Sequence, residues 1–552
     1  MKISFNLLPD INEIFLDYLC DFSKVKSFFS FDYRSEYDFK KIIDIKSRTY
    51  AGNKIFRRND LADILKTQNK FFNSSETTFY NIEKLKNNNT FAVVTGQQVG
   101  LLTGNYYTIL KPISTIKLCE RLKTRFPDFE FVPVFWMETE DHDYIEINNI
   151  SVFDAKNELK KIEYFTKGET KERYLTPTGR ILIDEHFEDF KKNLRNNILQ
   201  TEYTEELFEI IEKSYRIGIS LGTAFARFFN YIFENNGIIF IDPNDNEIKK
   251  LLRPVFEKEL NTYPETCEII IRATAKIEEK LYEPQIKPKP INLFYICDDE
   301  RFLIEPGTKD AFSLKNTRKK IGKEEMYDLL YKSPENFSPN VVLRPICQDY
   351  LLPTAVYIAG PSEIAYFAQL KQVYDFYEIK QPVLYPRVSA TILENRVCNF
   401  INKYNINYDD LFDEQKIINS VLKVIGENKV EEIFSKFNDN YNSLCYQCEK
   451  ELSRIDVNLI GSFKNKSQKY LENLEILKHK FEKVQEKKNA ETVNKVKLIN
   501  ENIYPQKKLQ ERIINISYYL NKYGPEFIEN LMKNIDIEDF NHQIIEIEQI
   551  IS

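Results

Sequence analysis

Phe91-Ala-Val-Val-Thr-Gly-Gln-Gln-Val-Gly-Leu-Leu-Thr-Gly-Asn-Tyr-Tyr-Thr-Ile-Leu-Lys111 is the stretch from which the fold is read. Three of the chain's 15 glycines, Gly96, Gly100 and Gly104, fall within nine residues of it. An apolar run, Phe91 to Val94, leads in, and a helix-compatible stretch through Lys111, Ile113, Ile116, Lys117 and Leu118 leads out. Strand, glycine-rich turn and helix in that order bring backbone N–H groups and a helix N-terminus up to an anion. The glycine spacing is neither that of a phosphate loop nor that of a dinucleotide fingerprint. The local reading is a ligand loop of an α/β domain, with a tight structural turn as the alternative. Thr95, Gln97, Gln98 and Tyr107 offer uncharged hydrogen-bonding groups, and Lys111 offers a cation to a phosphate or carboxylate.

A length of 552 residues allows two to four domains. A hydrophobic content of 42% with 29% charged residues fits a soluble globular protein with a large core. The net charge of −7 argues against a dedicated nucleic-acid binder. No apolar window reaches the roughly 18 residues of a membrane span, and Met1–Asp10 lacks the apolar stretch of a secretory leader, so a cytoplasmic location is expected. Cys20, Cys119, Cys267, Cys297, Cys347 and Cys398 lie on apolar-patterned segments and read as buried small hydrophobes. Cys445-Tyr-Gln-Cys448 sits in a helical pattern and reads as structural, since a zinc site needs two more ligands.

Around the opening stretch the chain reads as α/β. Strands are expected at Phe91–Thr95 and Phe131–Trp136, joined by a helix from about Ile109 to Thr124, which makes one right-handed βαβ unit. Helices are expected near Phe187–Leu199 and Glu205–Tyr231, and a buried strand at Gly237–Asp242. A hairpin pairs Leu293–Cys297 with Phe302–Ile304. The α/β order resumes at Val341–Arg344, followed by a helix near Ile364–Tyr374 and a strand at Val383–Tyr385. One sheet is thus assembled from distant pieces over residues 1–400, with insertions at about 160–235 and 250–335. From about 401 to 552 long charged helical patterns dominate. Phe434, Phe437, Tyr441, Leu444, Cys448, Leu452, Ile455 and Leu459 recur at spacings of three and four, as do Tyr470, Leu474, Leu477, Phe481 and Val484. Gly461 marks a turn or break between the two sets, and Val493, Val496 and Ile499 resume the seam. A narrow apolar seam on polar helices is that of a coiled coil, either a hairpin folded on its own chain or a dimerisation arm.

Three further segments fall at expected strand ends, where open α/β sheets bind ligands. Trp136-Met-Glu-Thr-Glu-Asp-His-Asp-Tyr-Ile-Glu-Ile-Asn148 places Glu140, Asp141, His142, Asp143 and Glu146 after the second strand. Asp141, His142 and Asp143 suit Mg²⁺ binding through water, an ammonium group or proton transfer; a solvated acidic turn is the alternative. Leu343 to Tyr366 carries Arg344, Gln348, Asp349 and Glu363 among apolar residues, so these charges need partners or a ligand. Gly360-Pro361-Ser362-Glu363 reads as a turn and helix start with Ser362 as a cap. Tyr385-Pro-Arg-Val-Ser-Ala-Thr391 places Arg387 and Ser389 at the same sheet edge.

Together these segments resemble the bacillithiol-biosynthesis cysteine-adding enzymes, the BshC family. The family's T-G-Q-Q-x-G-L-x-x-G-P-x-Y-T-x-x-K corresponds to Thr95–Lys111, and its P-V-F-W-x-x-x-E-D-H-D-x-x-E-I-N to Pro133–Asn148. Its R-P-x-x-Q-D-x-L-L-P-T segment through A-Q-L is Arg344–Leu370, P-R-x-S-x-T is Pro386–Thr391, and L-Q-E-R-x-x-N is Leu509–Asn515. Asn105 stands where proline is usual, and Ser362 where glycine is common. The resemblance implies a Rossmann-like core with two connecting insertions, similar to class I aminoacyl-tRNA synthetase and nucleotidyltransferase cores. It also implies an all-α coiled-coil domain that forms a homodimer. The implied reaction joins the carboxyl of L-cysteine to the amine of glucosaminyl malate, with no nucleic-acid or membrane partner.

Amide formation from a free carboxylate is expected to need ATP or another nucleotide, through an acyl adenylate or acyl phosphate, with Mg²⁺ as a candidate companion. Backbone amides near Gly96–Gly104 and Lys111 are then assigned to charge developing on the nucleotide. Asp141 or His142 is assigned to the amine proton, or Asp141 and Asp143 to Mg²⁺. Arg344 or Arg387 is assigned to the malate carboxylates. Gln510, Glu511 and Arg512 belong either to a nucleotide site or to a salt-bridged helix surface. The rival readings are a nucleotide-binding scaffold with an inactive core and a nucleotidyltransferase with another acceptor.

Overall fold

The computed structural model describes residues 1–52, 57–166, 175–308, 310–425 and 429–551; residues 167–174 and 309, within the two expected insertions, lie outside the described residues. The sheet that positions everything else has five strands, β1 (Thr90–Gln97), β2 (Glu130–Met137), β3 (Ile239–Ile241), β4 (Thr354–Ala359) and β5 (Val383–Pro386). They lie in the order β5-β4-β1-β2-β3, and every neighbouring pair is parallel. Phe91, Ala92, Val93 and Val94 of β1 are all wholly buried, because a parallel strand is covered on both faces. That is why the segment reads as a continuous apolar run and not as an alternation.

Helix α1 (Tyr107–Arg125) returns from β1 to β2, while α2 (Arg344–Leu351) precedes β4 and α3 (Pro361–Phe367) follows it. The strand order reverses between β1 and β4, and right-handed crossovers send the helices that follow them to opposite faces. A crevice opens at the carboxyl ends of these two strands. Gly96 lies there opposite Trp136, and a Cβ on it would come 2.9 Å from the Trp136 carbonyl oxygen, so the register tolerates only glycine.

The expected strands are present, with ends displaced by a few residues, except at Val341–Arg344. The α/β order resumes later than expected. Val342 and Leu343 are apolar because they are buried ahead of a helix, not because they form a strand. Pro345 falls in the first turn of α2, where its missing N–H costs nothing, and the strand comes at Thr354. The single helix expected over Glu205–Tyr231 is two, Thr204–Ser214 and Leu221–Ile232. Gly218 separates them at φ +87°, and Ser220 caps the second by accepting from Thr223 N–H. The helix expected near Ile364–Tyr374 is likewise two, α3 and Lys371–Phe376.

The β3-to-β4 connection carries a five-stranded antiparallel sheet that includes the expected hairpin, Leu293–Cys297 with Glu300–Pro306. The β2-to-β3 connection carries a two-stranded ladder, Asn149–Phe153 with Leu159–Glu163, and three longer helices.

Packing divides the chain into a core unit of Met1–Thr391 with Glu511–Ile545, and a helical unit of Ile392–Gln510. The segment Glu511–Ile545, read from sequence as part of the C-terminal helical domain, therefore packs within the core. Leu102 and Thr103 of the glycine-rich turn adopt φ of 45° and 71°, an uncommon conformation for such residues. Buried carbonyls in such a turn need donors. Asn515 supplies them, donating from Nδ2 to the carbonyls of Leu101, Leu102 and Gly104 at 3.3, 3.1 and 2.5 Å. Asn105 adds a side-chain bond to the Arg512 carbonyl at 2.5 Å, one that proline could not make.

Glu511 lies wholly inside the core unit. Its carboxylate meets Arg387 at 2.5 Å and accepts from Ser389 Oγ and Ala390 N–H, each at 2.9 Å. Burial alone would raise its pKa, but Arg387 and these hydrogen bonds hold it below the usual carboxylate range. His542 bridges Ser389 Oγ at 2.8 Å and Thr391 Oγ1 at 2.9 Å.

In the helical unit, α4 (Lys429–Leu452) and α5 (Ile460–Lys488) form a hairpin on their own chain, with the turn at residues 453–459 and Gly461 just inside α5. Tyr441 stacks on Tyr470 at 4.8 Å between ring centroids, and Lys478 pairs with Glu431 at 2.8 Å. Val493, Val496 and Ile499 are buried in a later helix, Ala490–Ile503, which packs on Glu414–Val424.

Two outcomes follow for the stability of the core. Glu511→Ala strands a buried guanidinium and should cost about 3–5 kcal/mol in chemical denaturation, whereas Glu491→Ala, at an exposed helix pair, should leave unfolding unchanged. Burial pushes His542 from 6.5 down to about 4. The unfolded chain therefore binds the extra proton first. The stabilisation is complete above pH 6.5 and is lost as pH falls through the folded value, about 3 kcal/mol in all. His542→Gln should flatten that part of a melting-temperature profile measured against pH.

Candidate active site

A cavity of about 750 Å³ lies at the carboxyl ends of β1, β2 and β4. Gly96, Gln97, Gln98, Tyr107, Lys111, Glu140, Asp141, His142, Glu146, Arg344, Gly360, Glu363 and Arg387, all singled out from sequence, line it. Lys111, His142 and Arg387 come from three distant parts of the chain and face this one space.

The other residues assigned to the site from sequence lie outside the lining. Thr95 is committed inside the sheet, its hydroxyl donating to the Ile358 carbonyl at 3.2 Å. Gly100 and Gly104 pack against each other in the turn, and a Cβ on Gly100 would come 2.9 Å from Gly104 Cα. Gln348 and Asp349 stand behind Arg344: Gln348 accepts from Arg344 at 3.1 Å and donates to Asp349 at 2.9 Å, and Asp349 accepts from Tyr374 at 2.6 Å. Ser389 belongs to the Glu511–His542 cluster. Asp143 precedes the short helix Tyr144–Ile147. Ser362 faces the cavity but does not cap α3, because Pro361 takes the first helical position and Gly360 precedes it as the cap.

Lys111 is only 2% exposed, and its ammonium has three acceptors for three N–H bonds: the Gly96 carbonyl at 2.6 Å, Gln97 Oε1 at 3.0 Å and Glu363 Oε2 at 2.7 Å. No N–H is left over for a ligand. Glu363 in turn accepts from Tyr357 at 2.7 Å and from Gly360 N–H at 2.7 Å. Burial by itself would raise Glu363, but Lys111 and these donors outweigh it and keep the carboxylate ionised. Arg344 pairs through Nε with Glu138 at 3.1 Å and reaches Tyr366 at 3.2 Å. Burial works against its charge, and Glu138 more than restores it. Arg387 is spent on Glu511 and the Val388 carbonyl.

On the acidic side, Gln98 Nε2 donates to Asp141 Oδ2 at 2.6 Å, and the His142 N–H donates to Asp141 Oδ1 at 2.8 Å. Arg301 lies over the Phe294 ring, 3.8 Å from its centroid, and approaches His142 Nδ1 to 3.1 Å. A guanidinium only donates, so Nδ1 holds the lone pair and the proton sits on Nε2. Burial and Arg301 both lower the His142 pKa, consistent with a neutral ring that donates into the site. Glu140 is tied to the fully buried Lys249, which also donates to the Phe337 carbonyl at 2.5 Å. Burial and then Asp143 raise Glu146. Burial and Glu146 raise Tyr107 to about 12, so its hydroxyl, 2.8 Å from Gln97 Nε2, stays protonated.

Sequence reasoning missed Glu138, Arg301, Tyr366, Lys287 and Lys289, and it left Arg512 unassigned; all six line the cavity. Glu138 and Tyr366 sit inside the quoted segments and were visible by position. Arg301 sits in an ordinary charged hairpin, and Lys287 and Lys289 in a proline-rich connection, where no spacing marks them. Among the described residues, Lys287, Lys289 and Arg512 form no ion pair, unlike Lys111, Arg344 and Arg387. No group of three or more His, Cys, Asp or Glu side chains among the described residues is placed to hold a metal.

The chain matches a known family along nearly its whole length. Residues 1–388 match the Rossmann-like N-terminal domain of bacillithiol biosynthesis BshC, and residues 390–547 match its C-terminal coiled-coil domain. A Chloroherpeton thalassium protein described as "Putative cysteine ligase BshC" is 33% identical over 545 residues, covering 97% of this chain and 96% of its own. Proteins of the same description from Salinibacter ruber and Flavobacterium psychrophilum are 32% and 31% identical; the alignments cover 97% and 96% of this chain and 96% of each relative. The parallel Rossmann-like sheet, the helical unit and a match that runs along nearly the whole chain agree, and the chain belongs to the BshC family of bacillithiol biosynthesis.

Proposed function

We propose that this chain is a cytoplasmic carbon–nitrogen ligase that joins the carboxyl of L-cysteine to the amine of glucosaminyl malate, giving bacillithiol. The observation that carries this reading is the double character of the one cavity. Glu138, Asp141 and Glu146 line it as carboxylates, while Lys287, Lys289 and Arg512 line it as cations with no internal ion-pair partner among the described residues. An acceptor that carries an amine and a dicarboxylate presents both complements. Arg344 and Arg387, assigned from sequence to the malate carboxylates, are already paired with Glu138 and Glu511. We therefore transfer that role to Lys287, Lys289 and Arg512.

Unpartnered cations around a space of about 750 Å³ also fit the phosphates of ATP or another nucleotide. A bound nucleotide would supply the leaving group that makes the cysteine carboxyl open to attack. Lys111 has no N–H left for such a group, and its part is to hold the Gly96 end of β1 against Glu363. Asp141 and Asp143 could share Mg²⁺ only together with ligand oxygens, since Mg²⁺ commonly keeps one or two carboxylates plus phosphates and waters. His142, with its proton on Nε2, donates a hydrogen bond and does not act as a base.

The homodimer belongs to the same proposal. Leu444 and Leu477 on the α4–α5 hairpin are 56% and 44% exposed, and Phe481 and Val484 are 52% and 53% exposed, leaving an apolar stripe that a second copy would cover.

The direct test incubates purified protein with L-cysteine, ATP and glucosaminyl malate and follows bacillithiol by mass spectrometry. No product overturns the reading, and product without any nucleotide removes the nucleotide from it. Arg512→Ala and Lys289→Ala should each raise KM for the acceptor roughly 10-fold, about 1.5 kcal/mol for a charge-assisted contact, with kcat changed far less. Leu444→Glu with Leu477→Glu should shift the mass measured by light scattering from dimer to monomer.

A further inference from the structure

We infer that Glu138 is the catalytic base of this site, taking a proton from the primary ammonium of the acceptor so that the free amine can attack. The inference rests on the ligase reading above. In the step, one N–H bond of R–NH₃⁺ breaks and an O–H bond forms on the Glu138 carboxylate. The products are R–NH₂ and a neutral carboxylic acid, and charge and protons balance without another reactant.

Elimination among the cavity's acids and bases leads to this residue. Lys111 occupies one Glu363 oxygen with Gly360 N–H, and Tyr357 occupies the other. Glu140 is consumed by Lys249. Both Asp141 oxygens accept a hydrogen bond, from Gln98 and from the His142 N–H. His142 accepts from Arg301 at Nδ1 and carries its proton on Nε2. Glu146 lies beside Gln98 on the short helix Tyr144–Ile147 and is exposed, so water solvates its carboxylate.

Glu138 differs from the paired carboxylates by keeping an oxygen free among the described residues, and from Glu146 by being mostly withdrawn from solvent. Its one ion pair, Arg344 Nε at 3.1 Å, falls on Oε1, and among the described residues Oε2 has no partner. The side chain is 23% exposed, and the residue lines the cavity. It stands on the last turn of backbone before the acidic loop: its N–H donates to the Gln97 carbonyl at 3.0 Å, beside the Gly96 peptide that Lys111 also grips. A Cβ at Gly96 would come 3.5 Å from Glu138 Oε1, ordinary contact distance, so the carboxylate lies against the Gly96 turn.

The surroundings also put its titration where a base is useful. Burial raises Glu138 from 4.5 to about 7; Arg344 opposes the rise, and Glu140, Asp141 and Glu363 add to it. Lys111, Arg301, Tyr357 and Tyr366 are its other charged or titratable neighbours. A base with a pKa near the working pH combines a useful ionised fraction with proton affinity. The same carboxylates that raise it attract the ammonium it must deprotonate.

The experiment compares wild-type protein, Glu138→Gln and Glu138→Asp with L-cysteine, ATP and glucosaminyl malate across pH 5.5–9. Glu138→Gln should lower kcat about 100- to 1,000-fold with KM for the acceptor changed less than about 3-fold. The wild type should show a fall in kcat below about pH 7, and Glu138→Gln should remove it. Glu138→Asp keeps a carboxylate for Arg344, so the fold is retained while the reach shortens by one methylene. It should lose tens-fold in kcat and displace that acidic limb. Added formate should restore part of the turnover of Glu138→Ala, which a purely structural role would not allow. If both Gln and Asp variants keep kcat within about 3-fold and the same acidic limb, the inference falls. Wild-type protein that makes no bacillithiol overturns the ligase reading instead, so the two failures are distinguishable.

Discussion

The Lys111 ammonium is the contact on which the site depends. It joins the end of β1 to the start of α3 across the point where the strand order reverses, through the Gly96 carbonyl, Gln97 and Glu363. A buried ammonium is tolerable only when its N–H bonds are matched and a counter-charge is close. Here three acceptors meet three donors, and one of them is a carboxylate. Glu363 is thereby held in one position, where it also closes the Gly360 turn and orients Tyr357. The floor of the cavity is built from these bonds before any ligand arrives, and such preorganisation is what an active site needs to act on charge.

The same rule sorts the other charges. Arg387 is matched by Glu511, Lys249 by Glu140, and Arg344 by one oxygen of Glu138 with help from Gln348 and Tyr366, the other Glu138 oxygen being left over among the described residues. These pairs are costly to break because removing one member leaves the other buried and alone. They identify the framework. Groups that line the cavity without being consumed by it are few. That separation reverses several assignments that residue type alone suggests: Lys111, Arg344 and Arg387 are bonded into the structure, while Arg512 and two lysines from a proline-rich connection line the cavity without an ion-pair partner among the described residues.

Much of the fold was legible from local chemistry. A strand covered on both faces must be apolar along its length, so Phe91–Val94, Phe131–Trp136 and Gly237–Asp242 announced themselves, and so did the hairpin at Leu293. Val341–Leu343 misled because a short apolar run is equally at home ahead of a buried helix, and only Pro345 hints at the difference. The helical seam was legible too, but its division was not. Val493, Val496 and Ile499 continue the pattern of the hairpin yet are buried at another helix of the same unit. The stretch from Glu511 onward returned to the core because Asn515 satisfies carbonyls 411 to 414 residues away, a pairing that leaves no trace in spacing.

What the amino-acid order determined alone was which segments are strands and helices, that a glycine-bounded turn and an acidic loop fall at strand ends, and to which family the motifs belong. Periodicity, turn chemistry and motif identity are local, and local order is written directly in sequence. What only the tertiary structure decided was which charges are spent and which are free. Glu138 and Asp141 are three residues apart and alike in sequence. One keeps an unpartnered oxygen toward the cavity and the other has both oxygens bonded, because Arg344, Gln98 and the backbone N–H of His142 reach them differently. A carboxylate's proton affinity is set by its desolvation and its neighbours, and these exist only once distant segments have packed together.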